Sequence, residues 1–347
     1  MISLIAAVAI LQRSPIRVAC VGDSITAGWG LPDPNTQSYP AQLAKMLGTG
    51  YEVGNFGHSG ATLVESSDYP YWNKREFERS KAFAPNVVVI MLGTNDATVA
   101  RWPKLKNQFV PDYKRLIRIY ADLPSHPKVY ACIPVPAFDE RTPQIDFGVV
   151  PLVKQAARES GADTIDLYSP LAGKGDLFPD HLHPNPAGAG IMAETVAQAI
   201  EDARGRKSSW RLVSFDSEEA GEGRAKAAID GDPYTYWHTN YSDKETRPPH
   251  QLVVDMGTVE RVKAFRYLPR QDGGINGRVK DFELYLSVDG KDWGTPVVKS
   301  TIKDAAGWSR FDFNPQEARF FKFVALSEQH NNAWTSAAEL DLVRSLP

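Results

Sequence analysis

The stretch Asn86-Val87-Val88-Val89-Ile90-Met91-Leu92 carries no polar residue after its first. A strand with one wet face alternates between apolar and polar side chains; a strand covered on both faces does not. Such a strand belongs to a parallel sheet buried between helices. The rest of residues 16–203 fits that demand. Strands are expected at 16–22, 51–56, 86–92, 128–133 and 163–167, and helices at 38–47, 73–83, 109–122, 147–160 and 186–203. Val149, Leu152, Val153 and Ala156 follow helical spacing, and Asn185-Pro186 caps and opens the last helix. Strictly alternating strands and helices give a parallel sheet with right-handed crossovers.

The period changes after residue 203. Arg204-Gly205-Arg206-Lys207-Ser208-Ser209 is basic and small, and reads as a linker. Beyond it Leu252–Asp255, Val262–Tyr267, Phe282–Ser287, Phe311–Phe313 and Phe320–Ala325 have the look of strands. Asp272-Gly273-Gly274 and Asp289-Gly290 supply turns. The expected domains are 15–203 (α/β), a linker at 204–211, and 212–347 (all-β, the size of a small sandwich).

With 347 residues the chain has room for two domains, and a net charge of -3 gives nucleic acid no reason to bind. Ile2–Leu11 is apolar but shorter than the roughly 20 residues that span a bilayer. With Ala7-Val8-Ala9 it fits the remnant of an export signal, although a basic start is lacking. The expectation is a secreted or periplasmic protein without a membrane span. The two cysteines, Cys20 and Cys132, fall in separate strands and are expected to be free buried thiols.

Chemistry concentrates where strands end. The first strand runs into Gly22-Asp23-Ser24-Ile25, which places a hydroxyl at the carboxyl end of the sheet, where ligands bind in open α/β folds. Asn55-Phe56-Gly57-His58-Ser59-Gly60 follows the second strand and Gly93-Thr94-Asn95-Asp96 the third. Asp180-His181-Leu182-His183-Pro184 precedes the last helix. A serine nucleophile needs a base, and the base needs an orienting carboxylate. Residues three apart on one turn share a face, which favours His183 over His181 as the partner of Asp180. His181 and His183 could also start a metal site, but no third ligand stands out. The backbone N–H of Ser24, the backbone N–H of Gly60 and the side-chain amide of Asn95 are candidate oxyanion donors. Taken singly, each of these residues also fits an ordinary turn.

These four segments resemble the sequence blocks of the SGNH (GDSL-type) hydrolases over roughly residues 15–203. The resemblance implies a flavodoxin-like five-stranded sheet of order 2-1-3-4-5 with helices on both faces. It also implies ester hydrolysis through an acyl-serine, without a catalytic cofactor. Ser24 would be the nucleophile, His183 the base and Asp180 its orienter, with Gly60 and Asn95 in the oxyanion hole. In that strand order Cys20 and Cys132 lie about 9.6 Å apart, two strand spacings, too far for a disulfide. Tyr69, Tyr71, Trp72, Trp102, Phe138 and Phe178 either shape a sugar site or pack beneath the loops.

In the second half, Asp230-Gly231-Asp232-Pro233-Tyr234-Thr235 can wrap a hard cation with oxygens or form an Asp-Gly turn. Together with Tyr267–Asp272 and Trp334–Leu340, this region resembles discoidin-like (factor V/VIII type C) domains, and family-32 carbohydrate-binding modules among them. The resemblance implies a jelly-roll sandwich with a structural calcium. The ligands would be Asp230, Asp232, Thr235 and Glu339 with the carbonyls of Ala227 and Ala338. It maps glycan contacts, to a galactose-type sugar in many relatives, onto His238, Arg270 and Asn276, with an aromatic platform from Tyr241 or Trp334. The aromatic segment 69–72 and the proline-rich Ile133-Pro134-Val135-Pro136-Ala137-Phe138 also look similar to bacterial esterases that remove O-acetyl groups from polysaccharides or sialates. A lipid or thioester hydrolase of the same fold, and a lectin-like protein with a vestigial hydrolase domain, are the competing expectations.

Overall fold

The computed structural model describes residues 14–203, 205–243 and 246–345. The apolar segment Ile2–Leu11 and Arg204 of the basic segment lie outside the described residues. The chain divides into two compact units. One ends at Ile165 and resumes over Lys174–Ala193; the other takes Asp166–Gly173 and the chain from Glu194 onward.

The first unit is built on strands β1 (Ile16–Gly22), β2 (Tyr51–Gly57), β3 (Val87–Met91), β4 (Lys128–Ile133) and β5 (Asp163–Asp166). They form one sheet in the order β2-β1-β3-β4-β5. β1 pairs in parallel with β2 and β3, and β3 with β4. Val88 to Met91 are fully buried, as an unbroken apolar run requires of a central strand. Cys20 and Cys132 are buried and free, with β3 between their strands.

Two helices differ from expectation. The one expected at 109–122 starts at Trp102 and runs to Ala121. Pro103 in its first turn opens it, and Pro111 sits inside it without ending it. The one expected at 147–160 is a Val150–Ser160 helix continued backward through a π-helical segment, Ile145–Val149.

The second unit is an antiparallel β-sandwich. Its strands are β6 (Arg211–Phe215), β7 (Trp237–His238), β8 (His250–Leu268), β9 (Asp281–Ser287), β10 (Val298–Thr301), β11 (Ser309–Ala325), β12 (Ser336–Ala337) and β13 (Glu339–Arg344). The main sheet has the order β10-β9-β11-β8-β13, with β6 on β8. The separate strands expected at 252–255 and 262–267 are the two ends of β8, and those expected at 311–313 and 320–325 are the two ends of β11. The Asp255 side chain accepts the N–H of Gly257 at 2.8 Å, inside β8, and Gly257 takes φ +84°. Register shifts fall between Asp312 and Gln316 and between Ala318 and Phe320 of β11. Such irregularities bend a strand without ending it, so the sequence shows a gap where the chain only turns a corner.

The core of this unit is aromatic. Phe323 lies 5.5 Å from Phe265, 5.7 Å from Phe282 and 6.4 Å from Tyr267, ring centre to ring centre, and is fully buried. Phe323→Ala is expected to destabilise the second unit by about 3–5 kcal/mol. Calorimetry of the full chain reads this as a lowered transition for that unit; a shift worth under about 1 kcal/mol would show that the cluster closes over the gap.

Candidate active site

β1 ends at a glycine because nothing larger fits. A Cβ on Gly22 would lie 2.0 Å from Thr26 Oγ1 and 2.7 Å from the Met91 carbonyl oxygen. The next residue, Asp23, caps the single helical turn Ser24–Ala27, its Oδ1 accepting the N–H of Ile25 at 3.0 Å. Ser24 is therefore held at the mouth of a short helix and is largely buried. Its Oγ lies 2.8 Å from His183 Nε2. His183 Nδ1 lies 2.6 Å from Asp180 Oδ2, and Asp180 Oδ1 accepts the backbone N–H of His183 at 2.7 Å and of Leu182 at 3.1 Å.

His181 is turned out of this line. It adopts φ +66°, its carbonyl accepts the Phe138 N–H at 2.8 Å, and its side chain is exposed. That left-handed residue folds the segment so that Asp180 and His183 meet. Burial pushes the Asp180 carboxyl up, but the amide and imidazole of His183 and the amide of Leu182 outweigh it and leave it below the usual value. Asp180 is thereby kept as an acceptor for the imidazole N–H.

The loop after β2 packs onto the serine turn. The His58 N–H donates to the Gly22 carbonyl at 2.9 Å, and the Asn55 side-chain amide to the Thr26 carbonyl at 2.9 Å. Gly60 adopts φ +80°, which other residues rarely take. The Asn95 amide donates to the Ala61 carbonyl at 3.0 Å, leaving its second N–H for another acceptor. The structure thus joins Ser24, His183 and Asp180 in one hydrogen-bonded line, and joins Asn95 to the residue after Gly60.

Four supports were not singled out from sequence. Asp96 is fully buried and accepts the N–H groups of Leu63 and Val64 at 2.8 and 2.9 Å, tying the loop after β3 to the loop after β2. Arg101 donates to the Asn95 carbonyl at 3.2 Å and to Asp68 at 2.9 Å. Glu76 holds His58 Nδ1 at 2.8 Å, and His58 Nε2 lies 3.2 Å from the Tyr69 hydroxyl. Trp29, which follows the C-capping Gly28 of the serine turn, is 59% exposed with its ring 6.3 Å from that of His183. Of these, only Asp96 carried a sequence signal, its place beside Asn95.

The aromatic candidates separate. Tyr71 is fully buried, its hydroxyl donating to the Phe56 carbonyl at 2.7 Å. Trp72 donates to the Leu63 carbonyl at 2.6 Å, under the guanidinium of Arg115. Phe138 and Phe178 pack against each other at 5.0 Å, and Trp102 against Phe109 at 5.6 Å. Tyr69 is the member of this group that stays exposed, at 41%.

In the second unit, His238 is buried, with its ring 5.2 Å from Tyr241 and 6.2 Å from Trp334. Its Nδ1 donates to the Thr239 carbonyl at 2.7 Å. Burial, with the positive charge of Arg270 adding to it, lowers the His238 pKa, which favours neutral imidazole. Arg270 is clamped by Asp272 and donates to the Tyr236 hydroxyl at 2.9 Å. Glu219, which sequence reading missed, accepts the N–H of Tyr241 at 2.9 Å and the Ser242 hydroxyl at 2.7 Å, and so fixes the Tyr241 loop. Asn276 is exposed, and its carbonyl accepts the Ser336 hydroxyl at 2.9 Å.

The expected calcium ligands partly converge. Thr235 Oγ1 donates to Asp230 Oδ2 at 2.8 Å, and Glu339 Oε1 accepts the Gly231 N–H at 2.6 Å. Asp230 and Thr235 meet within one loop, and Glu339 comes to it from β13. Asp232 Oδ1 instead accepts the Tyr234 N–H at 2.9 Å. Ala227 lies in the 3-10 turn Ala225–Ile229, and Ala338 is buried between β12 and β13. Lys207, from the basic segment, is buried with its Nζ 2.6 Å from Glu339 Oε2. Burial disfavours that ammonium, but Asp341 and Glu339 outweigh it and raise its pKa. Among the described residues no three of His, Cys, Asp and Glu form a metal-holding group.

Comparison with known proteins places both halves. Residues 20–191 match the GDSL-like Lipase/Acylhydrolase family and residues 213–340 the F5/8 type C domain. An acetylxylan esterase of Xylanibacter ruminicola is 37% identical over 212 residues, 55% of this chain and 44% of that protein. A galactose oxidase of Gibberella zeae is 37% identical over 142 residues, 40% of this chain and 20% of that protein. The solved structure of CpGH89CBM32-5 from Clostridium perfringens, in complex with GalNAc-beta-1,3-galactose, is 32% identical, covering 40% of this chain and 96% of that one with a TM-score of 0.36. The fold and the sequence blocks define a GDSL-like acylhydrolase domain followed by a β-sandwich. The chain carries a GDSL-like lipase/acylhydrolase domain and, after it, an F5/8 type C domain. It spans less than half the length of either curated relative named above.

Beneath the site two carboxyls are buried. Burial raises Asp23 to about 7, against the Ile25 N–H and helped by the charge of Asp96; burial likewise raises Asp96 to about 6. Between about pH 4, where an unfolded Asp has lost its proton, and pH 7, the native Asp23 still holds one. The native state then binds more protons than the unfolded state, so this contribution to stability falls as pH rises through the window. Asp23→Asn removes the titration and keeps an oxygen for Ile25. The Tm of the variant relative to wild type is expected to rise from pH 5 to pH 8; a difference independent of pH would show that Asp23 does not hold the proton.

Proposed function

We propose that this chain is a carbohydrate esterase that removes O-acetyl groups through an acyl-serine intermediate. The observation that carries this is the Ser24–His183–Asp180 line at 2.8 and 2.6 Å, at the carboxyl end of β1. His183 Nε2 takes the proton of Ser24 Oγ as the oxygen attacks the acetyl carbon. The same nitrogen then gives that proton to the departing sugar oxygen as the carbon–oxygen bond breaks. Water, deprotonated by His183, releases acetate and restores Ser24. The Ser24 and Gly60 N–H groups and the free Asn95 N–H receive the carbonyl oxygen as it becomes negative. The acetylxylan esterase relative supports acetyl as the acyl group and a xylan-type polysaccharide as the first substrate to test. Sialate esters are the second.

The C-terminal domain would hold the glycan. Its relatives include a galactose oxidase and a sialidase, both named for sugar substrates. Arg270, His238 and Asn276 would read hydroxyls, with Tyr241 or Trp334 as the stacking face. Asp230, Thr235 and Glu339, with carbonyls of Ala227 and Ala338 and with Asp232, would hold a structural calcium that plays no part in catalysis. A polymer substrate also calls for an exported enzyme. Among the described residues no helix is long and apolar enough to cross a membrane.

Wild type is expected to release acetate from acetylated xylan, and Ser24→Ala to lower the rate by at least about 10³-fold. Equal turnover by the variant would exclude the serine mechanism, and a preference for long acyl chains over acetyl would point to a lipid substrate. For the cation, calcium at a hundred times its Kd is expected to stabilise the second domain by about 2.7 kcal/mol. Melting curves in calcium and in EDTA measure this, with Asp230→Ala abolishing the difference. Identical curves for wild type would remove calcium from the domain.

A further inference from the structure

Trp29 follows the buried serine turn directly, yet its indole is 59% exposed. Its position is not loose. Its backbone N–H donates to the Ser24 carbonyl at 2.9 Å, and Gly28 before it closes the turn with φ +87°. The ring is 6.3 Å from the His183 imidazole, tilted by 53°. The other aromatics of this region are packed away where the fold allows: Tyr71 and Phe178 are fully buried. Tyr69, the other exposed ring at the site, is fixed on the opposite chemical side. A Cβ on Gly60 would lie 3.5 Å from it, its hydroxyl meets His58, and Lys74 Nζ sits 3.1 Å above its centre.

The side matters because the base and the oxyanion donors serve different atoms. The donors meet the acyl oxygen. His183 meets the oxygen of the departing alcohol, which must come within hydrogen-bond reach of Nε2 to be protonated. A flat apolar face beside that imidazole therefore borders the alcohol and not the acyl group. Pyranose rings present a C–H face that packs on an indole, as any apolar face does on an exposed aromatic ring.

We propose that Trp29 is the platform on which the acetylated sugar stacks while His183 protonates its oxygen, making Trp29 a specificity-determining residue for the leaving group. The inference rests on the esterase reading above and adds that sugar recognition begins inside the catalytic domain. It makes ring-bearing alcohols better leaving groups than chain alcohols of equal reactivity.

The test compares kcat/KM for acetylated xylotriose with kcat/KM for ethyl acetate, whose alcohol has no ring, using the full chain. Trp29→Leu is expected to lower the ratio of the two at least tenfold, mainly through KM for the sugar ester. Trp29→Tyr is expected to restore most of it. A ratio unchanged in Trp29→Leu overturns the proposal, and so does a Trp29→Tyr no better than Trp29→Leu. If Trp29→Leu fails to fold, the ratio for Trp29→Phe against Trp29→Thr decides in the same way. Wild type that cleaves ethyl acetate but no acetylated sugar overturns the carbohydrate-esterase reading and this inference with it. Wild type that cleaves both, with an insensitive ratio, overturns the role of Trp29 alone.

Discussion

One hydrogen bond, between Ser24 and His183, joins residues 159 apart in the chain. Neither element holds its partner in place by itself. β1 lies inside the sheet, between β2 and β3, so its carboxyl end opens where the loops after β2 and β3 also emerge. The segment 180–183 reaches the same place from the chain between β5 and the helix Pro186–Ala203. The parallel order of the sheet is thus what makes the site: all strands that carry a block point the same way, and their ends share one edge.

Holding those loops together requires carboxyl groups to be buried. Asp96 accepts two backbone N–H groups from the Leu63–Val64 turn, which no water reaches, and Asp23 caps the turn that carries Ser24. A buried carboxyl without such donors would be costly, and a buried N–H without an acceptor nearly as much. Each satisfies the other. Both acids are pushed toward the protonated form by burial, and Asp23 also by the charge of Asp96, so the scaffold of the site is tied to pH separately from its catalytic imidazole.

The second domain solves a different problem. It is all-β and buries its aromatic side chains in one core, with Phe265 from β8, Phe282 from β9 and Phe321 and Phe323 from β11. Its rim polar groups are anchored rather than free: Glu219 fixes the Tyr241 loop, Asp272 clamps Arg270, and Glu339 is shared between Gly231 and Lys207. Anchored donors lose little freedom when they meet a ligand.

Sequence by itself determined the class of each half, because the change from unbroken apolar runs to period-two alternation reports how many faces of a strand are covered. It also displayed the four blocks, whose resemblance to a known family supplied the expected strand order, and it favoured His183 over His181, since a three-residue spacing on a turn is a local fact. It could not tell that β8 and β11 continue through their bulges, because a bend and an end look alike in composition. Nor could it sort the aromatics. Tyr71, Phe178, Tyr69 and Trp29 are equally apolar in sequence, and only packing from distant segments leaves the first two buried and the last two at the rim. Lys207 is the plainest case. In a short basic segment it reads as solvated, and it is buried against Glu339 and Asp341 because tertiary structure brought two carboxylates 132 and more residues away to meet it. Local pattern decides elements; which side chains share a cleft is decided by contacts that no local pattern contains.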